Sequence, residues 1–234
     1  IMSKYPVYDR EQLQKKAEAF LCSYRPDLLE RPALDFDVYD VVENCLHVDV
    51  DWQYLSPDES VLGMTAFESG SLKVYTDEGV FPHRETMQIF VNEGTILIER
   101  ALSEDESRRG QENFTVMHEV FHALLHREYF QSLPEMARIE HQNAKPQYLP
   151  NGHRKLETPM DFIEWQADTC AACFLMPETA VRRGFQGMKR KFQHIMPQDQ
   201  WLQGALRILA DAFHVSRQAM KYRLKDLHLI CTDE

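Results

Sequence analysis

The chain has 234 residues, of which 44% are hydrophobic and 27% are charged. This composition is ordinary for a folded globular protein and excludes a disordered chain, a fibrous repeat and a small disulfide-stabilised protein. The formal net charge of -11 disfavours a general nucleic-acid binder, because the phosphate backbone attracts basic surfaces. The charge is unevenly spread, since residues 178–230 hold 10 Lys and Arg against 4 Asp and Glu.

Sequence features also indicate the compartment. No apolar run approaches the ~20 residues that span a bilayer, and the polar N-terminal residues lack the hydrophobic region of a signal peptide. The five cysteines are odd in number and scattered, which favours free thiols over a disulfide framework. We therefore expect a cytoplasmic protein that does not engage a membrane.

The predicted elements begin with helices and continue with strands. Apolar residues at helical spacing predict a helix over residues 9–24, and a short helix is expected over residues 37–45. Ser69-Gly70-Ser71 indicates a hairpin between two of the strands that follow. Alternating or β-branched runs predict five strands, over residues 47–54, 61–67, 72–75, 87–91 and 95–98.

After residue 107 the pattern becomes mostly helical. Helices are predicted over residues 161–175, 178–191 and 200–227, and a long polar segment from 131 to 159 precedes them. This order predicts an α+β fold in which a small, mainly antiparallel N-terminal sheet packs on a central helix and is followed by a helical C-terminal half.

The most informative motif is the five-residue segment His118-Glu119-Val120-Phe121-His122. On a helix, residues i and i+4 lie on one face one turn apart, so both histidines can reach one metal ion. Glu119 lies beside them, where it can hold a water molecule and accept its proton. The alternative is a pair of surface histidines joined by hydrogen bonds.

A catalytic zinc ion keeps three protein ligands and one open position, so this motif needs a third ligand. His126 continues the spacing, but eight residues separate it from His118, a rise of ~12 Å, which excludes joint ligation. We expect His126 at the far end of the cleft or at the end of the helix.

Glu164, on a later predicted helix, is a better candidate for the third ligand. Asp168, one turn further, can accept a hydrogen bond from the outer nitrogen of a ligand histidine. Alternatively, both acids lie on a solvated helix face.

Together these residues resemble the ImmA/IrrE family of zinc metallopeptidases, and the resemblance extends over residues 9–230. The family commonly has glycine before the second histidine, whereas this chain has Phe121, so we expect different packing around the helix. The matching motifs are Arg108-Arg109, Phe114-Thr115, residues 118–122, Leu124-Leu125-His126, Glu164 to Ala167, and Leu175-Met176-Pro177.

The resemblance implies zinc ligation by His118, His122 and Glu164, with Glu119 as the general base. It also implies an endopeptidase that cleaves a repressor-type transcription factor, encoded nearby, and so relieves repression of mobile-element or stress-response genes. Substrate selection and any group that stabilises the oxyanion are expected in the polar segment 131–159. The candidates there are His141, Tyr148 and His153.

We expect residues 1–177 to form the catalytic domain and residues 178–234 to form a helical extension. Within the extension, residues 206–227 have the pattern of a helix-turn-helix. Its second helix carries four basic residues: Arg217, Lys221, Arg223 and Lys225.

Such a helix can enter a major groove, although the net charge disfavours strong DNA binding. We prefer a surface that engages a protein substrate or stabilises the fold. Two alternative functions stay open. One is a non-enzymatic transcriptional regulator whose metal site is structural or vestigial, and the other is a module that binds a repressor without cutting it.

Overall fold

The computed structural model describes residues 5–32, 36–77, 85–134 and 156–231. Three predicted site residues, His141, Tyr148 and His153, lie outside the described residues. The fold is α+β, with small sheets in the N-terminal half and helices in the C-terminal half, as the sequence predicts.

The first helix begins at a reciprocal cap. The Asp9 side chain accepts a hydrogen bond from the backbone N–H of Gln12, and the Gln12 side chain accepts one from the backbone N–H of Asp9. The first elements are α1 (Arg10–Tyr24), a 3-10 turn (Pro26–Leu29), and α2 (Val38–Asp40), which continues into a π-helical turn (Val41–Cys45). Both helices predicted in this region are therefore confirmed.

Five strands follow: β1 (Val50–Gln53), β2 (Gly63–Thr65), β3 (Gly70–Tyr75), β4 (Thr86–Val91) and β5 (Ile96–Glu99). They form two sheets. In the first, β5 lies between a parallel β1 and an antiparallel β2, and in the second, β3 pairs with β4 in antiparallel fashion. Antiparallel pairing therefore predominates, as expected.

The predicted hairpin at Ser69-Gly70-Ser71 is wrong, because β2 and β3 belong to different sheets. This segment instead carries the chain from the first sheet to the second. The reason is the burial of β5, whose four residues are all buried and three of them apolar. A strand buried along its whole length takes the centre of a sheet, and β5 therefore pairs with both β1 and β2.

The second half is built from helices. Helix α6 begins at Thr158, whose side chain accepts a hydrogen bond from the backbone N–H of Asp161 in a capping box. All three predicted C-terminal helices are confirmed, the last of them as two helices. The helices are α3 (Arg100–Ser103), α4 (Arg109–Leu125), α5 (Arg127–Ser132), α6 (Pro159–Leu175), α7 (Glu178–Phe192), α8 (Gln198–Ala212) and α9 (Arg217–Asp226).

Helix α4 lies at the centre of the main hydrophobic core and packs against α6, β2 and β5. Phe121 contacts Phe20 and Phe174, with each pair of ring centroids 6.1 Å apart. Aromatic rings therefore surround Phe121, the residue before the second histidine of the motif. This packing seats the apolar side of α4 in the core.

The helices beyond residue 177 share this core with the rest of the chain. Leu209, Met220 and Leu224 are buried in the same cluster as Phe121 and Phe174. The domain boundary at residue 177 stays a prediction. The residues before and after this boundary pack against each other through apolar side chains.

The structure also bears on two expectations that were drawn from the composition. All five cysteines are free thiols, as predicted. None of the helices in the described part of the chain combines the length and the apolar content that crossing a membrane requires.

Candidate metal centre

Helices α4 and α6 pack side by side and bring together three predicted ligands, His118, His122 and Glu164. The Nε2 atom of His118 lies 3.3 Å from Oε2 of Glu164, and the Nε2 atom of His122 lies 3.3 Å from Oε1 of the same carboxylate. The two Nε2 atoms are 2.9 Å apart. One residue of α6 therefore closes a triangle with two residues of α4.

This triangle fits one divalent metal ion. Donor atoms at ~2.1 Å from a tetrahedral zinc ion stand about 3.4 Å from one another. The two Nε2 atoms are 2.9 Å apart, and each lies 3.3 Å from a different oxygen of the Glu164 carboxylate. Two imidazole nitrogens and one carboxylate oxygen are also a donor set that zinc accepts. The alternative in which Glu164 lies on a solvated helix face is not what the structure shows, because its carboxylate faces both imidazoles.

The charges of the three groups depend on one another. Burial lowers the pKa of His118, but the carboxylates of Asp168 and Glu164 outweigh burial and raise that pKa well above its ordinary value. Burial raises the pKa of Glu164, but the imidazoles of His122 and His118 outweigh it and hold that pKa well below its ordinary value. A proton on His118 would compete with a metal ion for Nε2, so binding of a metal ion there would release protons.

His118 and His122 have different neighbours at their outer nitrogens. Nδ1 of His118 lies 2.8 Å from Oδ1 of Asp168, the contact expected from the one-turn spacing on α6. Nδ1 of His122 lies 3.1 Å from Nδ1 of His126.

His126 lies at the C-terminal end of α4, where its backbone N–H bonds to the carbonyl of His122. It is 0% exposed, so it is buried and does not line an open cleft. Burial, reinforced by the neighbouring His122, lowers the pKa of His126 to about 2. This imidazole is therefore neutral across the physiological pH range.

Glu119 points from α4 toward the first sheet and is 7% exposed. The hydroxyl of Thr65 on β2 lies 2.8 Å from Oε2 of Glu119 and donates a hydrogen bond to it. A methyl group added at Gly63 would stand 2.8 Å from Oε1 of Glu119 and 2.7 Å from Thr115. The strand therefore approaches this carboxylate as closely as glycine permits.

Sequence reasoning missed both Gly63 and Thr65. The available signal was the isolated glycine within a strand pattern, which is typical of a close approach between backbones or side chains. The glycine does not identify the element that approaches it, so the contact with Glu119 becomes visible only in the folded chain.

The predicted basic surface of the C-terminal extension is wrong at Arg223. Its side chain is 2% exposed, and its Nε–H donates a hydrogen bond of 2.9 Å to the carbonyl oxygen of Met176. Met176 is the C-cap residue of α6, and the carbonyls at the end of a helix need a donor from outside it. Arg223 therefore stabilises the end of α6 and does not contribute to an exposed basic surface.

The turn between α8 and α9 packs against the N-terminal half of α4. The backbone N–H groups of His214 and Val215 bond to the carbonyls of Asp211 and Ala210, which is the Schellman pattern at the end of a helix. The side-chain amide of Asn113 donates a hydrogen bond of 2.9 Å to the carbonyl of His214. The turn that would present a recognition helix to DNA thus lies against the helix that carries the metal centre.

Comparison with known proteins agrees with the resemblance read from the motifs. Residues 151–225, about a third of the chain, match the family model of the IrrE N-terminal-like domain, a peptidase family. The matched stretch contains Glu164 and Asp168, and His118 to His122 precede it. No curated protein matches the chain. The match supports assignment to a metallopeptidase family, with a divalent metal ion and a protein substrate.

Proposed function

We propose that the protein is a zinc-dependent metalloendopeptidase and that its substrate is a repressor-type transcription factor encoded nearby. The observation that carries the proposal is the convergence of His118, His122 and Glu164, with the buried Glu119 next to His118 on the same helix. The identity of the substrate rests on the resemblance to the ImmA/IrrE family, whose known members cleave such repressors.

The proposed roles follow from the positions of the side chains. His118, His122 and Glu164 hold the metal, and zinc when bound polarises the peptide carbonyl and activates water. Glu119 accepts the proton of the attacking water and returns it to the leaving amine. The Thr65 hydroxyl donates to Oε2 of Glu119 and so helps to hold this carboxylate in position.

The sheet beside Glu119 is suited to an extended peptide. Strand β2 is an edge strand of the first sheet and pairs with β5 on one side. An extended peptide can add to the other side of such a strand through backbone hydrogen bonds. Because Thr65 belongs to β2 and contacts Glu119, a peptide bound there would run close to the general base.

The structure supports a catalytic site over a structural one. Structural zinc sites have four protein ligands, whereas catalytic sites have three and one open position. Three donors converge among the residues that the structure describes. The non-enzymatic regulator is further disfavoured because Arg223 is buried and the turn before α9 packs on α4.

Replacing Glu119 with Gln tests the proposal, because Gln keeps the shape of the side chain and cannot act as the base. We expect zinc content, measured by atomic emission, to persist, while cleavage of the adjacent repressor falls by about 10³-fold. Glu128→Gln, an exposed position on α5, is the matched control and should cleave normally. Undiminished cleavage by the Glu119→Gln variant would refute the proposed mechanism.

A further inference from the structure

We propose that a hydrogen-bond relay runs from His122 through His126 and Gln166 to the carbonyl of Pro6, and that His126 is a positioning residue for the proposed metal ligand His122. The inference rests on the proposed function in one respect, which is the role of His122 as a metal ligand.

The first step is the contact between two histidines one turn apart on α4. The Nδ1 atoms of His122 and His126 are 3.1 Å apart, and the ring centroids are 5.1 Å apart. Two nitrogens at this distance share one hydrogen, so one ring donates and the other accepts. Because both rings are buried, water has little access to replace this contact.

The second step assigns the direction of that hydrogen bond. Nε2 of His122 faces the other two proposed ligands, so a metal ion would bind there. A neutral imidazole that binds a metal through Nε2 carries its hydrogen on Nδ1. His122 therefore donates to His126, and the hydrogen of His126 must lie on its own Nε2.

The third step concerns two buried atoms that lack a hydrogen-bond partner among the described residues, Nε2 of His126 and Oε1 of Gln166. The tautomer deduced for His126 makes its Nε2 a donor, and the amide oxygen of Gln166 is an acceptor. The Gln166 side chain is close enough to His126 to raise its pKa against the effect of burial. Pairing these two atoms would satisfy both, and buried polar groups are rarely left without a partner.

The last step fixes the orientation of Gln166. Its Nε2 donates a hydrogen bond of 2.9 Å to the backbone carbonyl of Pro6, so Oε1 is the atom left for His126. The Pro6 segment is anchored by Tyr5, whose ring lies 6.1 Å from Phe162 and 6.3 Å from Tyr129. The relay thus ties the orientation of His122 to a segment far from it in sequence.

Two substitutions at His126 test the relay in the full-length chain. Asn places Oδ1 as many bonds from Cα as Nδ1 of His, so His126→Asn keeps an acceptor for His122, whereas His126→Phe removes it. The probe is Zn²⁺, titrated against a chromophoric chelator. We expect His126→Phe to weaken zinc binding by about 10- to 100-fold and His126→Asn to stay within about 3-fold of the unaltered chain. Equal affinity for the Phe variant and the unaltered chain would overturn the relay.

A second readout separates positioning from mere packing. Long-range proton–nitrogen NMR spectra of the zinc-loaded chain should show His126 with its hydrogen on Nε2 and His122 with its hydrogen on Nδ1. Finding the hydrogen of His126 on Nδ1 overturns the relay even if the variants bind zinc poorly. A chain that binds no zinc overturns the proposed function and the relay together, whereas tight zinc binding unaffected by His126→Phe overturns the relay alone.

Discussion

The two ends of helix α4 use buried polar groups in opposite ways. At the N-terminal end, the Asn113 amide donates to the carbonyl of His214, and Glu112 accepts hydrogen bonds from the Tyr39 hydroxyl at 2.5 Å and the Trp52 indole at 3.4 Å. At the C-terminal end, the Nε2 atoms of His118 and His122 face each other and one carboxylate within 3.3 Å.

The two ends differ in whether their buried polar groups have hydrogen-bond partners of opposite character within the chain. The N-terminal polar groups have complementary partners within the chain, so they contribute to stability. The C-terminal groups bring acceptor lone pairs together, an arrangement that only a proton or a metal cation between them makes favourable. We therefore expect substitutions at the first end to change the free energy of unfolding and substitutions around the second to change metal affinity.

The largest expected effect is at Glu164, the carboxylate that contacts both ligand histidines. Glu164→Ala should weaken zinc binding by about 10³-fold, because it removes one of three proposed ligands from a binding energy that those ligands share. Chelator competition measures the affinity, and Glu128→Ala is an exposed control. The melting temperature of this variant in the presence of a chelator should change little. A large drop would contradict the expectation that substitutions around the histidines change metal affinity and not stability.

Gly110→Ala should have the next largest effect, on stability alone. Its new methyl group would stand 2.5 Å from the carbonyl carbon of Val215 and 2.6 Å from the backbone nitrogen of Ser216. Because backbone atoms cannot move aside easily, we expect a loss of about 3 kcal/mol in urea unfolding. Gly204→Ala, which meets nothing within 4 Å, should instead stabilise by about 0.5–1 kcal/mol. Weaker zinc binding by folded Gly110→Ala would contradict the comparison.

Asp168→Asn should reduce zinc affinity by about 10-fold. The amide oxygen still accepts a hydrogen bond from His118, but the negative charge that strengthens this contact is lost. Chelator competition checks the affinity, and unfolding in a chelator should stay near that of the unaltered chain. An affinity equal to that of the unaltered chain would show that Asp168 does not support the ligand.

Asn113→Ala should have the smallest effect, a loss of about 1 kcal/mol, because it leaves the part-buried carbonyl of His214 without its side-chain donor. Urea unfolding measures the loss, and zinc affinity should be unchanged. If stability is unchanged but zinc binding weakens, the N-terminal end of α4 does more than anchor the extension.

Local sequence patterns predicted much of the proposed site because its central residues share one helix. The spacing of His118 and His122 specifies one helical face without reference to the rest of the fold. Glu164 followed from the need for a third ligand together with the motif that surrounds it. Asp168 followed in turn from its one-turn spacing, and the structure brings both acids to the histidines.

Other features could not be read locally. Ser69-Gly70-Ser71 marks a change of direction, but strand partners depend on which strand becomes the buried centre of the sheet. An arginine on a basic helix is usually expected at the surface. Arg223 is buried because its side chain packs against the C-terminal end of α6, where it donates to the carbonyl of Met176. Thr65 has no motif of its own, since its contact with Glu119 spans 54 positions.

The sequence by itself determined the α+β class, the main helices and the His-Glu-His face of α4, because helical periodicity and strand alternation are local properties of the chain. Tertiary structure alone decided the two-sheet topology, the neighbours of Glu119 and the burial of His126. It also decided how Gln166 and Pro6 approach the site. These contacts join residues far apart in sequence, and their geometry arises only when the core packs and each buried polar atom must find a partner.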